Sequence, residues 1–120
     1  MPESIVTETV SFGTNGDTAD GYLARPISQG PHPALIVIQE WWGLDAHIKD
    51  ITERFGRLGF AEIAPDLYHG QFTSEPDEAR KLAMAMESHR AALEIDGAAR
   101  WLLQRPYTKG PKFGCVGFCM

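Results

Sequence analysis

Hydrophobic and polar residues change period several times along the chain, and each change predicts an element. The first 25 residues carry Val6, Glu8 and Val10 in alternation with polar positions, break at GTNGDTADG, and resume at Gly21-Tyr-Leu-Ala-Arg25. Period-two runs on either side of a segment rich in Gly, Asn and Asp predict two strands joined by a turn. A second break, Ser28-Gln-Gly-Pro-His-Pro33, precedes the continuous apolar run Ala34-Leu-Ile-Val-Ile38, and such a run predicts a strand buried on both faces.

The period then becomes helical. Asp45 is placed to cap a helix whose apolar positions are Ile48, Ile51, Phe55 and Leu58, with Gly59 placed to end it. Phe60 to Ala64 predicts a shorter strand, stopped by Pro65 and followed by the loop Asp66-Leu-Tyr-His-Gly70. From Pro76 to Gln104 strong helix formers dominate. There Ala92, Ile95, Ala99 and Leu102 predict the apolar stripe, and Glu87-Ser-His-Arg90 separates two helices. Pro106 ends the second helix, Thr108 to Lys112 is expected to turn the chain, and Phe113 to Gly117 is a further apolar strand. A strand-helix-strand unit of this length favours a parallel pair with a right-handed crossover. The expected fold is therefore α/β, a mostly parallel sheet with helices on both faces, entered through an antiparallel pair.

Composition narrows the function classes. With 120 residues, 43% of them hydrophobic, the chain can build one core and not two. A net charge of -5 argues against nucleic acid as the main partner, because phosphate binding needs a surplus of Lys and Arg on one face. Met1-Pro-Glu-Ser-Ile has no basic start, and no segment approaches the roughly 18 consecutive apolar residues of a membrane span. A cytoplasmic protein without a membrane partner is expected. Cys115 and Cys119, if the segment between them is extended, lie about 13 Å apart at roughly 3.3 Å per residue, too far for a disulfide. Both should be free thiols, Cys115 in the core. The spacing of zinc and redox sites is absent, so no metal or cofactor is expected.

The chemistry gathers at Gly117-Phe118-Cys119-Met120, directly after the last apolar strand. A nucleophile at a sharp strand-to-helix turn is lifted above the sheet, and the helix start supplies N–H groups and a dipole that favour negative charge. Small residues flank such a nucleophile, and a glycine would be expected after Met120.

The stretch ALIVIQEWWGLDAHIKDITERFGRLGFAEIAPDLYHG together with PYTKGPKFGCVGFCM resembles the N-terminal half of the dienelactone hydrolase family, a branch of the α/β-hydrolases with a cysteine nucleophile. Three parts agree in order: a buried strand ending in Gln39-Glu40 before an aromatic pair and Gly43, the APDLY strand end, and the G-x-C elbow. The resemblance implies hydrolysis of small-molecule esters or lactones, carboxymethylenebutenolide among them. It implies Cys119 as nucleophile, the backbone N–H groups of Trp41 and Met120 as oxyanion donors, and Glu40 as the carboxylate that helps generate the thiolate.

Other positions stay open between two readings. Trp41 and Trp42 are either core packing or pocket wall, with one of them, here Trp42, a candidate substrate contact. Arg80 is either the substrate-carboxylate ligand, about one turn displaced from the family's position, or a surface arginine paired with Asp77 or Glu78. Asp66 is expected to stabilise the loop after its strand. None of His32, His47, His69 and His89 matches the catalytic histidine. The triad Asp and His of the family both follow the nucleophile, so residues 1–120 are expected to form the N-terminal part of a single domain completed by a companion polypeptide. The alternative is a non-catalytic module that pairs its open sheet edge with another copy.

Overall fold

In the computed structural model, which describes residues 4–14 and 16–117, the N-terminal alternation forms strands β1 (Ile5–Thr14) and β2 (Asp17–Pro26). They pair antiparallel from Ile5 opposite Pro26 to Thr14 opposite Asp17. The turn is thus shorter than the nine-residue break in the pattern suggests, since Asp17 to Asp20 belong to the ladder. These polar positions are tolerated because Asp17, Thr18 and Asp20 face solvent. Ser11 also donates its hydroxyl to its cross-strand partner Asp20 at 2.6 Å.

The apolar run becomes β3 (His32–Ile38), and Phe60 to Pro65 contributes β4 (Ala61–Pro65). Between them lies helix α1 (Ala46–Arg57), with Asp45 accepting a hydrogen bond from Ile48 N at 3.1 Å. Its C-terminus is closed by Phe60 N donating to Phe55 O and Gly59 N to Gly56 O, the paired bonds of a Schellman motif. The accompanying apolar contact is the edge-on packing of Phe60 against Phe55, ring centroids 6.0 Å apart. Leu58, expected in the buried stripe, is instead 73% exposed. It occupies the cap position, and Phe60 takes the apolar place beside Phe55.

The helical stretch divides into α2 (Pro76–Ala85) and α3 (Ser88–Leu103). Met86 and Glu87 lie between them, and Glu87 caps α3 by accepting from His89 N and Arg90 N. Ala92 is exposed, and Ala91, Ala98, Ala99 and Leu102 form the inner face. Gly97 lies on that face too. A Cβ there would come within 2.5 Å of Gly13 O, so only glycine lets α3 lie this close to β1.

Strand β5 (Thr108–Gly117) completes a five-stranded sheet in the order β1-β2-β4-β3-β5. β2 and β4 run antiparallel, whereas β3 is parallel to both β4 and β5. Pairing of β5 starts at Thr108 opposite His32, slips after Pro33–Lys109, and resumes at Ala34–Phe113. The segment expected to turn the chain is a bulge inside the strand.

Two apolar layers flank the sheet. Ala34, Ile36, Ala61 and Ile63 pack with Ala98, Ala99 and Leu102 of α3 on one side. Leu35, Val37 and Ala64 pack with Ile48, Ile51 and Phe55 of α1 on the other. β3 feeds both layers, as a strand buried on both faces must. β5 does not. Its residues from Lys109 to Cys115 are all exposed, and Cys115, expected in the core, is a free thiol at the surface. The reason is position: among the described residues β5 pairs through β3 alone, at the end of the sheet. No described helix is long and apolar enough to cross a membrane.

Candidate active site

The carboxyl ends of β3 and β4 bring two loops together, at the edge where open α/β sheets place ligands. Gln39, fully buried, follows β3 directly, and its Oε1 accepts from Leu67 N at 2.9 Å, which fixes the end of one strand to the loop after the other. Glu40 then starts a tight turn in which Gly43 N donates to Glu40 O at 3.0 Å. The turn is stitched to the second loop through Thr73 N donating to Trp42 O at 3.0 Å and a bridge between Gly43 and Phe72. Gly43 has φ +101, and a Cβ on it would lie 2.7 Å from Gln71 O. Both the backbone conformation and the close approach demand glycine there.

At the corner of this turn the rings of Trp41 and Trp42 lie 5.1 Å apart at 59°. Both are half-buried, and they pack on each other outside the two apolar layers. The Glu40 carboxylate keeps 20% exposure and has His47 Nε2 at 3.5 Å, from the first turn of α1. No motif in the sequence assigns His47 a part. The signal available was its place just after the Asp45 cap, since α1 turns straight back from the loop that carries Glu40.

Asp66 holds its own loop together. Its backbone N donates to Asp20 O at 2.9 Å and its Oδ2 accepts from Gly70 N at 2.6 Å. Burial pushes its carboxyl above the ordinary range, opposed by the backbone donors of Gly70 and Tyr68. His69, at φ +53, places Nε2 2.8 and 2.9 Å from the two oxygens of Glu94. Glu94 is buried and also accepts from Arg90 Nε at 3.1 Å. This knot ties the second loop to α3 beside a cavity of about 150 Å³ lined in part by Leu82 and Met86.

Arg80 sits on the exposed side of α2 with Asp77 Oδ1 3.9 Å away, the geometry of a surface pair. Cys119 and Met120 lie outside the described residues. The partial burial of the Cys115 thiol pushes its pKa up, so this second cysteine is not an activated thiolate. Among the described residues no cluster of three His, Cys, Asp or Glu side chains could hold a metal ion.

The chain resembles known proteins along nearly its whole length. It is 37% identical over 119 residues to a protein provisionally named carboxymethylenebutenolidase from Aquifex aeolicus, covering 93% of this chain and 50% of the relative. A Bradyrhizobium protein, named as a probable 2-oxo-3-(5-oxofuran-2-ylidene)propanoate lactonase, is 31% identical, with 98% of this chain and 49% of the relative covered. Among solved structures, a Klebsiella pneumoniae protein provisionally named dienelactone hydrolase superposes with a TM-score of 0.86 at 28% identity, over 98% of this chain and 51% of that one. The chain thus spans about half the length of the relatives it matches. With the model of the dienelactone hydrolase family matching residues 19–120, and the mixed sheet and its α1 crossover agreeing with that fold, the chain belongs to the dienelactone hydrolase family.

Proposed function

We propose that the chain carries the nucleophile, the oxyanion donors and the activating carboxylate of a cysteine-dependent ester or lactone hydrolase. The observation that carries this reading is strand register. Ile38 stands level with Gly117 where β3 and β5 end, and Glu40 follows Ile38 by the same two residues by which Cys119 follows Gly117. The thiolate of Cys119 attacks the carbonyl carbon, the alkoxide leaves, and water resolves the acyl-enzyme. Glu40, half-shielded at the strand edge with His47 beside it, takes up the thiol proton. The N–H groups of Trp41 and Met120 receive the developing oxyanion, each worth roughly 3 to 4 kcal/mol in the transition state. Trp42 forms part of the pocket wall, and Arg80 meets an anionic substrate only if α2 presents it differently from the Asp77 pair. The Asp and His of the family's triad are not among residues 1–120 and belong to the other half of the family domain, and the enzyme works in the cytoplasm on small molecules without a cofactor.

Turnover of p-nitrophenyl acetate tests the assignment. The measurement belongs in a Cys115→Ala background, because the exposed Cys115 thiol would otherwise consume iodoacetamide. Cys119→Ser and iodoacetamide should each abolish turnover, and Glu40→Gln should lower it on the order of a hundredfold. Undiminished turnover in Cys119→Ser refutes the reading. A second reading, a non-catalytic module that dimerises, is favoured by one observation: the open apolar groove of about 390 Å³ along β5, lined by Leu35, Phe60 and Phe113. It predicts a homodimer and no turnover.

A further inference from the structure

Glu62 is the second residue of β4, between Ala61 and Ile63, on the face that α1 covers. Its cross-strand neighbours are Ala24 of β2 and Leu35 of β3. Gly56 of α1 lies directly over it, so close that a Cβ there would meet Glu62 Oε2 at 3.3 Å, Ile5 Cγ2 at 3.3 Å and Ala24 Cβ at 3.5 Å. The residue is fully buried, and neither carboxyl oxygen has a hydrogen-bond partner. An ionised carboxylate in such a place would be severely desolvated, and in practice the group takes a proton instead.

The other ionisable groups between α1 and the sheet satisfy one another. Tyr22 of β2 donates to Glu53 of α1 at 2.7 Å, Arg57 of α1 lies 3.6 Å from the same Glu53, and Lys49 of α1 lies over the Tyr22 ring at 5.3 Å. Asp50 and Arg54 pair with each other at the surface. β3 pairs Leu35 with Glu62, and β1 presents Ile5 to the Gly56 position above it, neither of them charged. Thr52, the buried hydroxyl of α1, spends its proton on Ile48 O at 2.7 Å.

We propose that Glu62 is carried as a neutral carboxylic acid and acts as a proton-linked latch under α1: protonated, it lets the helix seat on β2 and β4, and ionised, it drives the helix off. Because α1 is entered directly from the Trp41–Gly43 turn, release of the helix also releases the turn that carries Glu40. Burial alone raises the Glu62 pKa from 4.5 to about 9, and the sign follows. Below pH 4.5 the acid is neutral in folded and unfolded chains alike. Between 4.5 and about 9 the folded chain keeps a proton that the unfolded chain has lost, so this group lowers the folding equilibrium constant about tenfold per pH unit. The loss is complete once the pH passes the folded-state value.

Urea unfolding of the full chain across this pH range, with wild type beside Glu62→Gln and Glu62→Leu, tests the latch. The wild type should lose stability with rising pH more steeply than either variant, by approaching tenfold per unit in the equilibrium constant. Parallel profiles overturn the proposal. Infrared spectroscopy of the wild type at neutral pH should show the carbonyl band of a protonated carboxyl group that Glu62→Gln lacks, and its absence is equally fatal. Hydrogen exchange localises the effect. After correction for intrinsic rates, α1 amides should lose protection before those of β3 as the pH rises, and simultaneous loss rules out a latch confined to α1.

Discussion

β3 and β5 are parallel neighbours built from similar apolar runs, ALIVI and FGCVG, yet they end in opposite environments. Ala34 to Val37 are buried and divided between two apolar layers, while Phe113 is 47% exposed and Cys115 lies at the surface. The difference comes from neighbours, not composition. Among the described residues β3 has a hydrogen-bonded strand on each side, β5 on one side only. Likewise β3 runs on into a loop pinned by Gln39, Trp42 and Gly43, whereas β5 borders an open groove.

The sharpest way to test this contrast is to remove the same kind of mass from both strands. Ile36→Ala should cost about 2 to 5 kcal/mol in urea unfolding, since Ile36 is fully buried and leaves a cavity. Cys115→Ala in the neighbouring strand should change stability by no more than about 0.5 kcal/mol. Equal losses would mean that β5 is as well packed as β3. The pinned loop breaks at a lower cost. Gly43→Ala has to adopt φ +101 against Gln71 O, which should cost about 1 to 3 kcal/mol and loosen the Trp41–Trp42 contact, visible as a shift in tryptophan fluorescence. The smallest effect is expected on the open side. Phe113→Lys should leave stability within about 0.5 kcal/mol of wild type in urea unfolding, because Phe113 is 47% exposed on that side; the dimer reading alone also predicts weaker self-association in analytical ultracentrifugation, since a charge on an open edge opposes strand pairing.

How much of this was legible beforehand depends on the range of the interaction. β3, α1 and β4 were readable because each is specified within its own segment: a continuous apolar run, an Asp45 cap with Ile48 and Phe55 behind it, a proline stop. The hairpin turn was overestimated because Asn, Asp and Gly mark turns statistically, and nothing local announces that Asp20 will find Ser11 across the ladder. Leu58 and Ala92 sit at helical spacing from buried residues, but spacing does not say where a helix outruns the sheet beneath it. Cys115 was misplaced for the reason that separates β3 from β5: an apolar strand looks alike whether or not anything covers it. The contacts Glu40–His47 and His69–Glu94 are invisible in the sequence because they join side chains from different elements. Glu62 could have been flagged as a charge inside an otherwise apolar strand.

The tilted contact of Trp41 and Trp42 gives the turn beside Glu40 an optical signature. Two indoles at 5.1 Å and 59° couple their electronic transitions, and the coupled pair produces a bisignate circular dichroism band that a lone indole does not. The remaining tryptophan, Trp101, stacks instead under the Arg105 guanidinium at 4.3 Å. The band therefore belongs to the turn alone, and its amplitude reports in real time whether the loop at the carboxyl edge of the sheet holds its shape.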